Sequence, residues 1–198
     1  MRRLAWLSSP LLAFVLFHPF SASAQDFPKY EVFGGFHYTR LGGNNWIGAN
    51  ASVAKNLSPI LGIVADVGVF NSSYSQESNG DAFEQKMHSY SIMAGPQVTS
   101  RISGKLTPFI HLLLGAVHEK YELNESLAGQ AYSDSSSDTE FAISFGGGVD
   151  YKLRGPLAVR GQFDYMGFRV PGGSGGQAFW NKGVRLSCGL SLRLGRAQ

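Results

Sequence analysis

The residues of this chain that could do chemistry are few, and their spacing does not favour catalysis. His88 beside Ser89 and Ser91 is the only close pairing of a base with hydroxyl nucleophiles, and acyl transfer would require the two groups to meet. In an extended segment adjacent side chains point to opposite faces, so His88 and Ser89 diverge. His37 and His111 have no serine that the sequence places beside them. The five histidines show no paired ligand spacing, and His18 lies in an apolar N-terminal run, so no metal site is read. The run Ser133-Asp134-Ser135-Ser136-Ser137-Asp138 reads as a solvated surface rather than a calcium site. Cys188 is the sole cysteine, which excludes an intramolecular disulfide, and its apolar surroundings deny it the activation that a reactive thiol needs. The sequence therefore predicts no enzyme, no metal and no cofactor.

The informative ionisable residues are instead those that interrupt apolar alternation. From Val184 to Leu194 the even positions Val184, Leu186, Cys188, Leu190, Leu192 and Leu194 are apolar. The odd positions Arg185, Ser187, Gly189, Ser191 and Arg193 are polar or small. A strand with this period of two has one greasy and one hydrogen-bonding face. In a small closed barrel in lipid the polar face must be the interior. The stretch has the length, roughly 9–11 residues, that a tilted strand needs to cross a bilayer.

Composition fits this reading without requiring it. The chain has 198 residues, 43% of them hydrophobic, which suits one domain. Its 25 glycines have no collagen period and fit crowded strands and turns better than helices. The formal charge of +3 includes Arg2 and Arg3; without them the chain is near +1 (15 Lys+Arg minus 14 Asp+Glu), which gives no footprint for nucleic acid.

Met1 to Ala24 has the three parts of a cleaved secretory signal: Arg2 and Arg3, an apolar centre from Leu11 to Phe17, and Ala22-Ser23-Ala24 before Gln25. The expected domains are thus 1–24, a signal peptide, and 25–198, a barrel. No later stretch is long enough for a spanning helix, so insertion must use strands. Alternation predicts eight of them, beginning at Tyr30, near Ile47, Leu61, Ser89, Phe109, Phe141, Leu157 and Val184. A five-residue connection, Leu41 to Asn45, joins the first two. Long polar loops are expected at Asn71 to Gln85, Leu123 to Asp138 and Pro171 to Asn181. The other connections are short, an asymmetry that points to an antiparallel up-and-down transmembrane β-barrel in a bacterial outer membrane, with short periplasmic turns and longer extracellular loops. Pro96 stands in the fourth strand, where a proline marks an edge or a bulge. The fifth strand is the hardest to orient, because its expected inner row, Phe109, His111, Leu113 and Gly115, is barely polar.

Two residue sets follow. Glu31, Asp66, Asp150, Arg160, Asp164, Arg185 and Arg193 fall on inward rows and are expected to form a charged network in the lumen. Tyr38, Trp46, Phe70, Tyr90, Tyr121, Phe141, Phe168 and Trp180 lie where strands meet the long loops and are expected to form an interfacial aromatic girdle.

The chain resembles the small eight-stranded outer-membrane β-barrel proteins, the OmpA/OmpX-like porin-family domain. The residues that carry the resemblance are Tyr30-Glu31-Val32-Phe33-Gly34-Gly35-Phe36, Gly95-Pro96, Pro108-Phe109, Gly147-Gly148-Val149-Asp150-Tyr151, Val184-Arg185-Leu186-Ser187 and Leu192-Arg193-Leu194-Gly195. It implies an eight-stranded barrel, with Gly95-Pro96 as a tolerated bulge. The chain departs from that pattern in running past Leu194 to Gly195-Arg196-Ala197-Gln198, where such proteins often end on an aromatic read by the barrel assembly machinery.

The expected function is a non-enzymatic structural or surface-interaction role with a plugged lumen. The expected partners are outer-membrane lipid, the barrel assembly machinery during biogenesis and an extracellular ligand or protein at the loops, with the barrel a monomer. The alternatives are a narrow porin-like channel, a lipid A-modifying enzyme and a soluble lipocalin-like carrier. The carrier would require apolar residues inside and polar ones outside.

Overall fold

The computed structural model describes residues 27–78, 81–101, 104–127, 130–170 and 177–196. The signal expected over 1–24 lies outside the described residues. Eight strands run in order: β1 (Tyr30–Leu41), β2 (Asn44–Asn56), β3 (Leu61–Ser78), β4 (Asp81–Thr99), β5 (Leu106–Leu127), β6 (Gln130–Arg154), β7 (Leu157–Val170) and β8 (Phe179–Leu194). Each pairs antiparallel with its neighbours in sequence. The barrel closes where β1 meets β8, from Tyr30 opposite Leu194 to Leu41 opposite Gly183. Closure leaves no free strand edge, so the backbone groups of the sheet are satisfied without water.

Alternation decides the two faces. Phe36, Ile47, Ile92 and Phe145 point outward and are well exposed on the isolated chain, whereas Phe33, Met93, Leu113 and Met166 are buried inside. β5 follows the same rule. Ile110, Leu112 and Leu114 face outward while Phe109, His111 and Leu113 face inward, so its weakly polar inner row is packed lumen. Apolar residues cover the outside and carboxylates and arginines lie within, which is the reverse of a lipocalin-like carrier.

Three connections differ from the sequence reading. The β1–β2 hairpin turns on two residues, Gly42 and Gly43, rather than five. Both have positive φ, 58° and 87°, the backbone of a type I′ turn, which glycine alone adopts at both positions without strain. The stretches Asn71 to Gln85 and Leu123 to Asp138 are not loops for most of their length. β3 runs on to Ser78 opposite Asp81 of β4, and β5 runs on to Leu127 opposite Gln130 of β6. These strands reach 18 to 25 residues, well beyond the span of a membrane band. Of the third expected loop, β8 claims Phe179 to Asn181, and 171–176 lie outside the described residues.

Pro96 is not at a bulge. Ala94 pairs with Leu114 and Gln97 with His111, so the β4–β5 register is the same on both sides of it. Its side chain faces outward, and the ladder omits Gly95 and Pro96 on the β5 side while Ile63 of β3 still pairs with Pro96. The strand absorbs the missing donor by losing local pairing on one side. The register shift the structure does contain lies between Lys152 and Arg154, beside the tight Gly155-Pro156 turn.

Candidate functional site: the lumen

Two arginines organise the interior, and each is held by one carboxylate from the next strand and one from further round the barrel. Arg160 of β7 is the register partner of Asp150 on β6. It grips that carboxylate with two hydrogen bonds, from Nε at 2.6 Å and from Nη2 at 3.0 Å. Its Nη2 also reaches Glu31 of β1 at 3.4 Å. Arg185 of β8 is the register partner of Asp164 on β7, to which its Nε donates at 2.9 Å. Its Nη1 extends to Asp66 of β3, three strands away, at 3.0 Å. Planar guanidinium forks suit such bridging, because one group can face two carboxylates at once.

The two groups form separate layers. Nearer the turns with even-to-odd connections, Glu31 also accepts from Arg101 and from Asn56 Nδ2. Arg193 Nη2 lies 3.7 Å from Asp150 and donates to Thr107 at 2.8 Å. At mid-barrel, Asp164 further accepts from His111 Nε2 at 2.7 Å and Gln162 Nε2 at 2.8 Å, while Asn50 donates to Asp66 at 3.0 Å. Glu31, Asp66, Asp150, Asp164, Arg160 and Arg185 are each no more than 2% exposed. Arg193 is the most open of the seven sequence-selected charges, its side chain 17% exposed. Charges this deep require partners, since an isolated buried ion is costly.

Sequence alternation could not reach Arg101, which lies beyond the end of β4 where no period operates. It also left His111, Gln162, Asn50, Asn56 and Thr107 unassigned to the network, although each falls on an inward row. Above the ionic layers, toward the β1–β2 turn, Leu41, Trp46, Phe70, Met87, Val117, Met166 and Phe168 belong to one buried apolar cluster.

The remaining candidates for chemistry are occupied or separated. His88 Nδ1 bonds Asn71 at 2.6 Å, while Ser89 and Ser91 are buried on the opposite row. His37 Nε2 donates to the Val69 carbonyl at 3.1 Å, which leaves Nδ1 to accept from the Thr39 hydroxyl. Cys188 is a free thiol on the outer surface.

A model of the outer membrane protein β-barrel domain matches residues 10–191. This chain belongs to that family. The outer-membrane barrel Ail of Yersinia pestis has a similar fold, at 18% identity and a TM-score of 0.54, with 84% of this chain and 99% of that one covered. Ail in complex with the heparin analogue sucrose octasulfate gives 16% identity and a TM-score of 0.51, covering 82% of this chain and 97% of that one. No curated protein is a significant match.

As an outer-membrane β-barrel, the protein meets lipid with its outward rows, and this corrects the aromatic set. Trp46, Phe70 and Phe168 are buried in the lumen cluster. Tyr121 shares the row of Val117 and Glu119, and its hydroxyl bonds Glu119. None of these four is on an outward row. Tyr38, Tyr90, Phe141 and Trp180 are on outward rows and exposed, and Phe141 packs edge-on against Trp180 with ring centroids 6.4 Å apart.

Beyond Phe141 the β5–β6 ribbon is acidic. Burial, together with the nearby Glu119 and Asp138 carboxylates, raises the Glu140 carboxyl above its ordinary range. Burial and the bond to Glu119 likewise push the Tyr121 phenol up.

Proposed function

We propose that this outer-membrane protein is a non-enzymatic, non-conducting, monomeric barrel that presents β-ribbons to the outside as a surface-interaction element. The observation that carries this reading is the filling of the lumen, with two ion-paired layers below one apolar layer. A permeant ion would have to break the Arg160 and Arg185 bridges and then cross the cluster around Trp46 and Phe168. Eight strands enclose an interior that side chains can fill completely. Residues 1–24 act as the export signal, and the barrel assembly machinery inserts residues 25–198. Tyr38, Tyr90, Phe141 and Trp180 rest at the outer lipid interface.

The interaction surface is the pair of ribbons formed by β3–β4 and β5–β6. Their sequences carry Glu77, Asp81 and Glu84 on the first and Glu122, Glu125, Asp134 and Asp138 on the second, against Lys86 and Lys120, while Glu119 and Glu140 are buried. Ail was solved in complex with the heparin analogue sucrose octasulfate, but ribbons of this acidic sequence repel polyanions. The ligand of this chain is therefore a cationic partner.

Single-channel recording of the refolded protein in a planar bilayer tests the closed lumen. No discrete steps are expected. Reproducible steps would overturn the reading.

A further inference from the structure

The end of the barrel opposite the ribbons has the contrary charge. A cavity of about 630 Å³ opens there, lined by Arg101, Lys152, Arg193 and Arg196 together with Phe27 and Thr107. No carboxylate lines it among the described residues. Among the described residues, the acids that pair with its cations are Glu31 and Asp150, and both are already shared. Glu31 serves Arg101 and Arg160, and Asp150 serves Arg160 and Arg193. Among the described residues, five cations thus face two carboxylates, an excess of three positive charges around a partly enclosed space. The Nε atoms of Arg101 and Arg193 are buried without any hydrogen-bond acceptor. Lys55, Lys105 and Arg154 are exposed on the surrounding rim and extend the field.

We propose that this periplasmic mouth is a binding site for a phosphate group. A phosphate group meets both requirements of the pocket. It offsets part of the excess charge, by one unit as a phosphodiester headgroup and by up to two as the free anion, and its several oxygens give the two arginine Nε donors the acceptors they lack. Lys152 and Arg196, which enter no ion pair among the described residues, close over the anion as further cations. Phosphate reaches this place either as a soluble periplasmic solute or as the headgroup of an inner-leaflet lipid.

The site is tested on the full mature chain, refolded in zwitterionic detergent, by titration calorimetry with two probes: inorganic pyrophosphate and dihexanoylphosphatidylglycerol. The expected result is saturable binding of at least one probe, weakened tenfold or more by the double variant Lys152→Gln/Arg196→Gln and by added salt. Arg169→Gln at the other end of the barrel leaves the affinity unchanged. Pyrophosphate binding without lipid assigns a soluble ligand, and binding of phosphatidylglycerol alone assigns a headgroup. Failure of both probes to bind would overturn the proposal. So would equal affinity in the double variant, provided that variant shows the heat-shifted electrophoretic band of a folded barrel.

Discussion

The guanidinium carbon of Arg160 lies 4.3 Å from the centroid of the Phe109 ring. The same group holds Asp150 through two hydrogen bonds, so charge pairing and ring stacking act on one side chain. Arg160→Leu takes both hydrogen bonds from Asp150, leaving it only Arg193 at 3.7 Å, and weakens the hold on Glu31. Breaking a buried pair from one side typically costs about 3–5 kcal/mol, and the detergent-folded variant should melt well below the parent. Arg160→Lys keeps the charge but loses the fork and the stack, and should fall between the two. Unchanged melting of Arg160→Leu would remove Arg160 from the network.

Arg185 and its two acids should respond unequally. Arg185→Leu leaves both Asp66 and Asp164 without their main cation, whereas Asp66→Asn leaves Arg185 bound to Asp164. Urea titrations should rank Arg185→Leu as the more destabilising. A double-mutant cycle should return a coupling of about 0.5–3 kcal/mol between Arg185 and Asp66. Additive effects would mean that the bridge is not energetically coupled.

Stability should also depend on Glu140, in a direction fixed by its raised carboxyl. The folded protein keeps this proton to higher pH than the unfolded chain does. As pH rises from the ordinary carboxylate range through the folded-state value, ionisation therefore favours unfolding, and the loss persists at neutral pH. Glu140→Gln should flatten this part of the pH–stability curve and be more stable than the parent near pH 7. Parallel unfolding curves for the two proteins across that range would contradict it.

Trp46 and Trp180 should report different environments. Trp180 is 44% exposed on the outward row, and Trp46 is 5% exposed in the lumen. In vesicles of brominated lipid, the Trp46→Phe variant, which keeps Trp180, should be strongly quenched. The Trp180→Phe variant, which keeps Trp46, should be quenched much less. Equal quenching would place both rings against lipid.

What the sequence disclosed follows the boundary between lipid and water. Where one face met hydrocarbon, the period of two assigned sides, as at Val184 to Leu194 and at Leu157 to Tyr165. Above the membrane both faces of a strand are wet and alternation has no cause. Asn71 to Ser78 and Leu123 to Leu127 therefore looked like loop although they are paired backbone. Half of the aromatic set faces inward for a different reason. The parity that puts Ile47 outward puts Trp46 inward, and the position of a residue along its strand says nothing of its face. The pairings of Arg160 and Arg185 had no sequence signal beyond adjacent-strand register, since Glu31 and Asp66 reach them across the lumen. Arg101 had none at all.

The two-glycine turn between β1 and β2 has a consequence for how the cell surface is met. Gly42 and Gly43 end their hairpin early, while β3 to β6 continue far past it. Among the described residues the outer rim is therefore a palisade along β3 to β6 and a low sill at the β1–β2 turn. Bulky neighbours in the crowded outer leaflet are held off along the palisade, and over the sill a large partner comes closer to the barrel itself.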